Sequence, residues 1–433
     1  METRSDLGEF VRYCIPNVLG MLGLSCYILA DTFFISQGMG SSGLAALNLA
    51  IPVYSFIHGT GLMLGMGGAT RCAILTAQGN HRASRQVYTH TLALGLAFAL
   101  FFFLCGLLGS QAITAALGAD RAVYDMTHTY LRVLLLFAPL FLLNDMLLPF
   151  VRNLGAPRLA MCGLMGSSLS NIILDYIFIF PLDMGIFGAV LATSIAPVIS
   201  LALCVPFVWK HKAHFLPSRC PAQPVLVRDI VSLGLPSLVT EVSSGVVMIV
   251  FNNMFLSLQG NLAVAAYGVV SNLALVVAAI YTGISQGAQP LMSRHHGAGH
   301  PKRAARFLRY ALTTSLVLSA LLYLLILLGA QPIAALFNSE GNLQLQAMAV
   351  RGLRIYFSCC FCTGINVVLC TFFAATERAR PANTMSLLRG LVMVVPAAFL
   401  LSRLWGLDGL WCSLTLTEGL VACLGLWFFR KKQ

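Results

Sequence analysis

Long uninterrupted apolar runs are the feature that most constrains how this chain can fold. A helix needs about 20 mostly apolar residues to cross the hydrocarbon core of a bilayer. We identify twelve such runs, at 11–37, 46–76, 89–108, 130–151, 161–181, 187–209, 230–257, 263–291, 307–329, 352–375, 385–403 and 408–429. A membrane barrel would instead alternate apolar and polar residues with a period of two. The sequence therefore predicts an all-α, polytopic membrane protein with about 12 transmembrane helices.

The small share of charged residues excludes most soluble folds. Charged residues make up 10% of the chain, whereas a soluble domain carries about 25%. The net charge of +12 comes from basic residues between the apolar runs, which favours membrane topology over nucleic-acid binding as its cause. We therefore expect membrane lipid, and no nucleic acid, among the partners.

The basic residues also predict the orientation of the chain. If the N-terminus is cytoplasmic, 22 of the 27 Lys and Arg residues fall in cytoplasmic segments, among them Arg4, Arg219 and Lys432. The five on the outer side are Arg121, Arg132, Arg351, Arg354 and Arg403. Because basic residues concentrate on the cytoplasmic side, we predict a multi-pass protein of a bacterial inner membrane with both termini in the cytoplasm.

The two halves of the chain repeat each other. Pairs separated by 220 positions are Pro16 with Pro236, Gly40 with Gly260, Gly67 with Gly287 and Gly79 with Gly299, and Gly185 pairs with Gly406 at 221. We predict two parallel six-helix lobes, at 1–209 and 230–433, joined by a cytoplasmic linker at 210–229. Two such bundles suit alternating access around a midplane cavity, although a channel can also arise by duplication.

Acidic residues inside the apolar runs are the main functional signal. They are Asp31, Asp145, Asp175, Glu241 and Glu418, and no basic residue lies near the middle of any run. A charge at the bilayer centre costs about 2.5–3.5 kcal/mol even on the lenient insertion scale. We therefore expect buried carboxylates without matching cations, which would mark an ion path.

Four polar residues are predicted to converge in the N-terminal lobe. Asp175 and Asn171 are one helical turn apart, Thr193 lies on the next span, and Asp31 lies on the first. Two neighbouring carboxyl groups could load and release a proton, and this set of oxygens would also suit Na⁺. The alternatives are a buried hydrogen bond between Asp175 and Asn171, and an interfacial position for Asp31.

A second set of candidates could bind substrate or couple transport elsewhere. Glu241 lies half-way along the seventh span, Asp145 follows Asn144, and His58 and Glu418 lie within the second and twelfth spans. Each of them also has a structural interpretation, which for His58 is a hydrogen-bonded packing histidine.

The sequence offers little support for an enzyme. Residues 283–287 match G-x-S-x-G, but they lie in an apolar helical run and not between a strand and a helix. Neither H-E-x-x-H nor a P-loop is present. The thirteen cysteines lie nearly all in apolar runs, so we expect packing residues and neither disulfides nor a metal centre. No cofactor is expected beyond a coupling ion, H⁺ or Na⁺.

Several segments resemble one transporter family across nearly the whole chain. They are ADTFFISQGMGSSGLAAL, GMGGATRCAILTAQGN, VRNLGAPRLAM, NIILDYIFIF, GLPSLVTEVSSG and RARPANTMSLLRG. These resemble the multidrug and toxic compound extrusion (MATE) family, with the closest likeness to its MepA-like bacterial branch. The resemblance implies two six-helix lobes that form a V-shaped cavity, and efflux of lipophilic organic cations coupled to H⁺ or Na⁺.

The resemblance also implies roles for particular residues. The family's N-lobe cation site carries over to Asp31, Asn171, Asp175 and Thr193, and Glu241 matches its acidic position on the seventh helix. Tyr176 stands where many members have proline, and the tenth span lacks the acidic residue that some members pair with the seventh-helix glutamate.

Two kinds of cargo remain open at this point. Small cationic drugs or metabolites would suit an acidic interior, with the chain acting as a monomer. A related architecture that flips lipid-linked saccharides would instead need Arg or Lys in its cavity, because that cargo carries phosphates. The sign of the charge inside the cavity discriminates between the two.

Overall fold

The computed structural model describes residues 5–218, 221–338 and 342–431. Arg4, Arg219 and Lys432, which the orientation argument counts as cytoplasmic, lie outside the described residues. Within them the chain forms fourteen α-helices and no strand. The helices are α1 (Asp6–Ala77), α2 (His81–Leu104), α3 (Ser110–Ala116), α4 (Tyr124–Leu136), α5 (Ala138–Asn153), α6 (Pro157–Ile179), α7 (Gly185–Lys210), α8 (Lys212–Phe215), α9 (Pro224–Gly297), α10 (Pro301–Leu336), α11 (Leu343–Tyr356), α12 (Cys360–Ala375), α13 (Ala379–Leu387) and α14 (Val394–Arg430).

Three of the long helices double back at a glycine. The hydroxyls of Tyr27 and Tyr54 are 3.1 Å apart, whereas a straight helix would place residues at this spacing about 40 Å apart. The reversal in α1 occurs at Gly40, where φ is 63°. Gly260 in α9 and Gly406 in α14 have φ of 69° and 59°. Glycine reaches this region without steric cost, so the paired glycines of the repeat mark equivalent turns.

The predicted spans all fall on helical segments of the described chain. Eight helical units are long and apolar enough to cross a membrane, and the bent pair α4 and α5, which meet at 50°, makes a ninth. The units that contain α1, α9 and α14 each hold two predicted spans, one before and one after the turn. The units therefore accommodate all the predicted spans, while the side of the membrane on which each turn lies stays a prediction.

The apolar core shows where the two lobes meet. We call the end of the molecule that carries both termini the terminal side. Far from it, one core contains only N-lobe residues such as Leu134, and another contains only C-lobe residues such as Trp411. Near it, Tyr13 packs in one core with Met292, and Met63 packs in another with Ile230. The lobes therefore join at the terminal side and part at the opposite side, which is a V-shaped arrangement.

Glycines allow the helices of the two lobes to touch backbone to backbone at this junction. A Cβ atom on Gly67 would overlap the carbonyl oxygen of Ile230, and one on Gly234 would overlap that of Met63. A Cβ atom on Gly287 would lie 2.7 Å from the Cα of Cys14, which is also too close. The G-x-S-x-G letters at 283–287 therefore lie inside α9 and pack against α1, in a setting that differs from a strand-to-helix nucleophile turn.

Ion pairs join the lobes at the surface of the terminal side. Asp6 accepts hydrogen bonds from Arg303 at 2.6 Å and from Arg306 at 2.5 Å. Arg71 lies 3.2 Å from Asp229, and Arg294 pairs with Glu9. Partly exposed pairs contribute about 0–1 kcal/mol each, so they supplement the apolar and glycine packing.

Candidate functional site

The structure brings the four N-lobe candidates together from three helices. Asp31 extends from α1, Asn171 and Asp175 from α6, and Thr193 from α7. Asp31 is 7% exposed and Asp175 is fully buried. Their carboxyl groups lie within hydrogen-bonding reach of each other. The four-residue spacing on α6 places Asn171 and Asp175 on one face, as the sequence predicts.

The Asn171 amide connects the carboxyl pair to α7. Its Nδ2 donates to Asp175 Oδ2 at 3.0 Å, and its Oδ1 accepts from Thr193 Oγ1 at 3.3 Å. All partners of Asp175 among the described residues are therefore neutral or acidic. The predicted alternative of a hydrogen bond between Asp175 and Asn171 is present, but it does not separate Asp175 from Asp31.

Tyr130 is a member of this cluster that the sequence does not predict. It lies on α4, is 4% exposed, and lies near the side chain of Thr193. It also lies near Asp31 and Asp175. A single tyrosine at the start of an apolar run does not differ in sequence from an ordinary packing residue, so no local signal marks it.

The N-lobe cluster has acceptor capacity that the protein itself leaves unused. Asp31 Oδ1 and Asp175 Oδ1 are buried and have no hydrogen-bond partner in the described chain. A hydrogen bond between two carboxyl groups requires a proton on one of them. The site can therefore be completed by a proton, or by a cation that accepts carboxylate, amide and hydroxyl oxygens as ligands. Within the described residues no group of three or more His, Cys, Asp or Glu could hold a metal ion, so Na⁺ would depend on the amide and hydroxyl as well.

His58 and Asp145 form a second polar group in the N-lobe. His58 Nδ1 lies 2.7 Å from Asp145 Oδ2, and the imidazole retains 16% exposure. Gly61 and Gly65 let α5 approach α1 closely, because a Cβ on either would collide with Asp145. Asn144 Nδ2 lies 3.4 Å from Asp145 Oδ1. His58 is thus the hydrogen-bonded histidine of the structural interpretation, but its partner is itself one of the candidates.

Glu241 is the candidate that lies at the contact between the lobes. Its Cβ lies beside Gly59, where α9 crosses the second half of α1. The residue is half-buried, and its carboxylate has no hydrogen-bond partner among the described residues. The ionisable side chains of His58 and Asp145 lie near it. Glu241 therefore lies where the two lobes meet, and its carboxyl group has no hydrogen-bond partner in the described chain.

The expectation of carboxylates without matching cations is wrong for Glu418. Arg389 donates two hydrogen bonds to Glu418 Oε1, at 2.9 and 3.2 Å, and Asn366 donates to Oε2 at 2.6 Å. Arg389 lies in a short π-helical turn at 388–392, near the end of its span, and its long side chain reaches inward. Glu418 therefore belongs to a buried ion pair.

A second guanidinium also lies inside the protein. Arg152, near the end of α5, is 3% exposed and donates to Asn17 Oδ1 at 2.9 Å and to Gln286. Their positions along the chain predict that both arginines lie in cytoplasmic segments, if position along the chain is taken as position along the membrane normal. An arginine side chain is long enough to place its guanidinium group well inside the membrane from a backbone position near the surface.

The two family departures have simple structural settings. Tyr176 is 54% exposed, and its ring packs beside Phe34 and Phe180 on the surface of α6. Helix α6 continues through this position from Pro157 to Ile179. On α12 the buried side chain of Asn366 donates to Glu418.

Comparison with known sequences gives consistent matches along the chain. The MatE family model matches residues 16–177 and 236–400, so its two segments begin at the proline pair with which the repeat begins. The multidrug export protein MepA of Staphylococcus saprophyticus is 28% identical over 424 residues, which is 97% of this chain and 93% of that protein. MepA of Staphylococcus aureus is 27% identical over 414 residues, with coverage of 95% and 91%.

Solved structures share the whole fold. A MATE protein in complex with MaL6 superposes with a TM-score of 0.92 at 24% identity, covering 99% of this chain and 96% of that one. An outward-facing multidrug resistance MATE family transporter superposes with a TM-score of 0.91 at 23% identity and the same coverage. The two-lobed fold is therefore shared with these proteins, and the match of the family model to most of the sequence shows that this chain belongs to the MatE family.

Proposed function

We propose that this chain is a secondary active exporter of lipophilic organic cations, driven by the entry of H⁺ or Na⁺. The observation that carries the proposal is the buried pair of Asp31 and Asp175, which has no internal counter-charge among the described residues. The names of the MepA relatives, which are called multidrug export proteins, support the direction of transport. We also propose that the terminal side faces the cytoplasm of a bacterium and that the chain acts as a monomer, because one chain supplies both lobes of the cleft.

In this proposal the coupling cation enters from the open side of the V. It binds at Asp31 and Asp175, where it supplies the positive charge that the protein does not supply. The neutralised cluster then no longer attracts a cationic cargo, and the cargo leaves outward. Rocking of the lobes about their junction exposes the cluster to the terminal side, where the ion is released and the next cargo binds.

We assign the first contact with cargo to Glu241. The residue is half-buried between the lobes, and His58 and Asp145 lie next to it. An ammonium or other organic cation could pair with this carboxylate while its apolar part remains in the cleft. A cargo of lipid-linked phosphates would meet a repulsive charge at the same place, so the flippase alternative is disfavoured.

The coupling proposal is tested by Asp175→Asn in proteoliposomes with an imposed pH or sodium gradient. We expect gradient-driven export of a fluorescent organic cation to fall to the level of empty vesicles. Asp125→Asn, which changes an exposed carboxylate on α4, is the matched control and should export at the normal rate. Normal export by Asp175→Asn would contradict the proposal, and the gradient that drives the unmodified protein would identify the coupling ion.

A further inference from the structure

Arg152 is a buried cation at the seam between the lobes that the proposed transport cycle does not use. It is 3% exposed, and its partners Asn17 and Gln286 are 2% and 8% exposed. Its other Nη atom lies 3.7 Å from the Sδ of Met66. Within the described residues Arg152 forms no ion pair, so its charge is not neutralised by a neighbouring carboxylate.

Packing alone does not account for a guanidinium at this position. Asn17 and Gln286 could hydrogen-bond to a neutral side chain, which would avoid the cost of burying an unpaired charge. The partners also come from both lobes, since Asn17 lies on α1 and Gln286 on α9. The charge of Arg152 therefore lies across the surface along which the lobes separate.

The seam is layered by charge along α5. Asp145 and Arg152 are seven residues apart on this helix, which places them on a similar face about 10 Å apart along the axis. The Asp145 layer is acidic and borders the cleft through Glu241. Beyond Arg152 toward the terminal side, Gln289 donates to Thr70 across the seam at 2.5 Å.

We propose that Arg152 is an electrostatic barrier that prevents cations from leaking along the closed seam to the terminal side. The acidic layer concentrates cations at the inner end of the cleft, and a leak from there would dissipate the gradient. A fixed guanidinium beyond this layer repels H⁺ and Na⁺ alike, as fixed positive charges do in selective pores. The inference rests on the proposed function, because a barrier against cations matters where a cation gradient drives transport.

The barrier is tested by cation flux through proteoliposomes that contain no cargo. With an imposed pH gradient and a potassium–valinomycin shunt, we expect Arg152→Gln to admit protons at least about threefold faster than the unmodified protein. Arg152→Lys keeps the charge and should remain near the unmodified rate. An equal leak through Arg152→Lys and Arg152→Gln would overturn the role of the charge.

A second pair of variants keeps the test decisive if Arg152→Gln folds poorly. Gln286→Glu places a carboxylate beside Arg152 and neutralises it in place, so it should leak as Arg152→Gln does. Gln286→Leu removes the hydrogen bond but keeps the charge uncompensated, and it should not leak. Tight vesicles with Gln286→Glu would overturn the barrier. Because the flux is measured without cargo, this outcome is separate from the export measured with Asp175→Asn.

Discussion

In the N-terminal lobe Asp31 and Asp175 face each other among neutral side chains, whereas in the C-terminal lobe Glu418 is held by Arg389 at 2.9 Å. Both groups are buried: Asp31 is 7% exposed, Asp175 is 0% exposed and Glu418 is 3% exposed. The difference lies in where the positive charge comes from. The C-lobe carboxylate has its cation within the fold, whereas the N-lobe pair must obtain a proton or another cation from outside.

The comparison shows that the repeat preserved the backbone while the polar interior diverged. The paired glycines keep their turns, with φ of 63° at Gly40 and 69° at Gly260. The position that the repeat pairs with Asp31 holds Phe251, which is 1% exposed in an apolar core. The buried carboxyl pair, to which we assign the coupling ion, is therefore present in one lobe, while both lobes keep the turns of the repeat.

The largest expected effect is on stability, and it should differ between the lobes. Glu418→Gln leaves Arg389 buried without its counter-ion, which we expect to lower the free energy of unfolding by about 3 kcal/mol. Asp175→Asn removes one of two adjacent carboxyl groups, so stability should be unchanged or raised. Thermal unfolding of both variants in the same detergent measures the contrast.

The double variant Glu418→Gln/Arg389→Gln is the control for this contrast. It removes both charges, so most of the stability lost in Glu418→Gln should return. If Glu418→Gln were as stable as the unmodified protein but unable to export, Glu418 would act in transport and the two lobes would be alike.

Acid should destabilise the protein through the terminal side of the C-lobe more than through the N-lobe pair. Burial, together with Arg294 and Arg303, lowers the pKa of His295 from 6.5 to about 4. Unfolded chains therefore bind more protons in this window, and stability that is complete above pH 6.5 is lost as the pH falls toward 4. One pKa unit corresponds to about 1.4 kcal/mol, so the shift corresponds to at most about 3.5 kcal/mol. Because solvent screens part of this interaction, we expect a loss of about 2 kcal/mol.

His295→Leu separates this effect from the carboxyl groups of the N-lobe. The ring stacks on Phe307, and its Nε2 is buried without a partner in the described chain, so an apolar replacement is tolerable. The free energy of unfolding of this variant should depend less steeply on pH between pH 7 and 4. An unchanged slope would assign the acid response to groups other than His295.

The smallest expected effect concerns the ion pairs that join the lobes. Burial acts to raise the pKa of Asp6, but the hydrogen bonds from Arg303 and Arg306 outweigh it and hold the pKa below 3.8. The stabilisation is therefore present above pH 3.8 and is lost below it. Asp6→Asn should cost less than about 1 kcal/mol, because both arginines are largely exposed to solvent.

The dependence on salt concentration tests whether Asp6 stabilises the protein through its ion pairs. Raising the ionic strength to 1 M shortens the screening length to about 3 Å, so the unmodified protein and Asp6→Asn should then unfold at the same temperature. A difference that persists in high salt would mean that Asp6 acts through packing. The buried pair of Glu418 and Arg389 should respond much less to salt.

The sequence predicted the helical fold and the N-lobe cluster but not the partners of the other acidic residues. Asn171 and Asp175 share a helix, so their common face follows from the helical period. Glu418 and Arg389 come from different segments, and their contact depends on how α14 and the turn before it are rotated. The same holds for His58 and Asp145, and Tyr130 carries no sequence signal at all.

What the sequence alone determined are properties that each segment has by itself. An apolar run prefers lipid, and Gly40 and Gly260 can adopt positive φ whatever residues surround them. What only the tertiary structure decided is which buried charges have a counter-charge. Arg389 neutralises Glu418 while Arg152 and the pair of Asp31 and Asp175 stay uncompensated. The physical reason is that Coulomb energy depends on distances of a few ångströms between side chains from different helices, and packing fixes those distances.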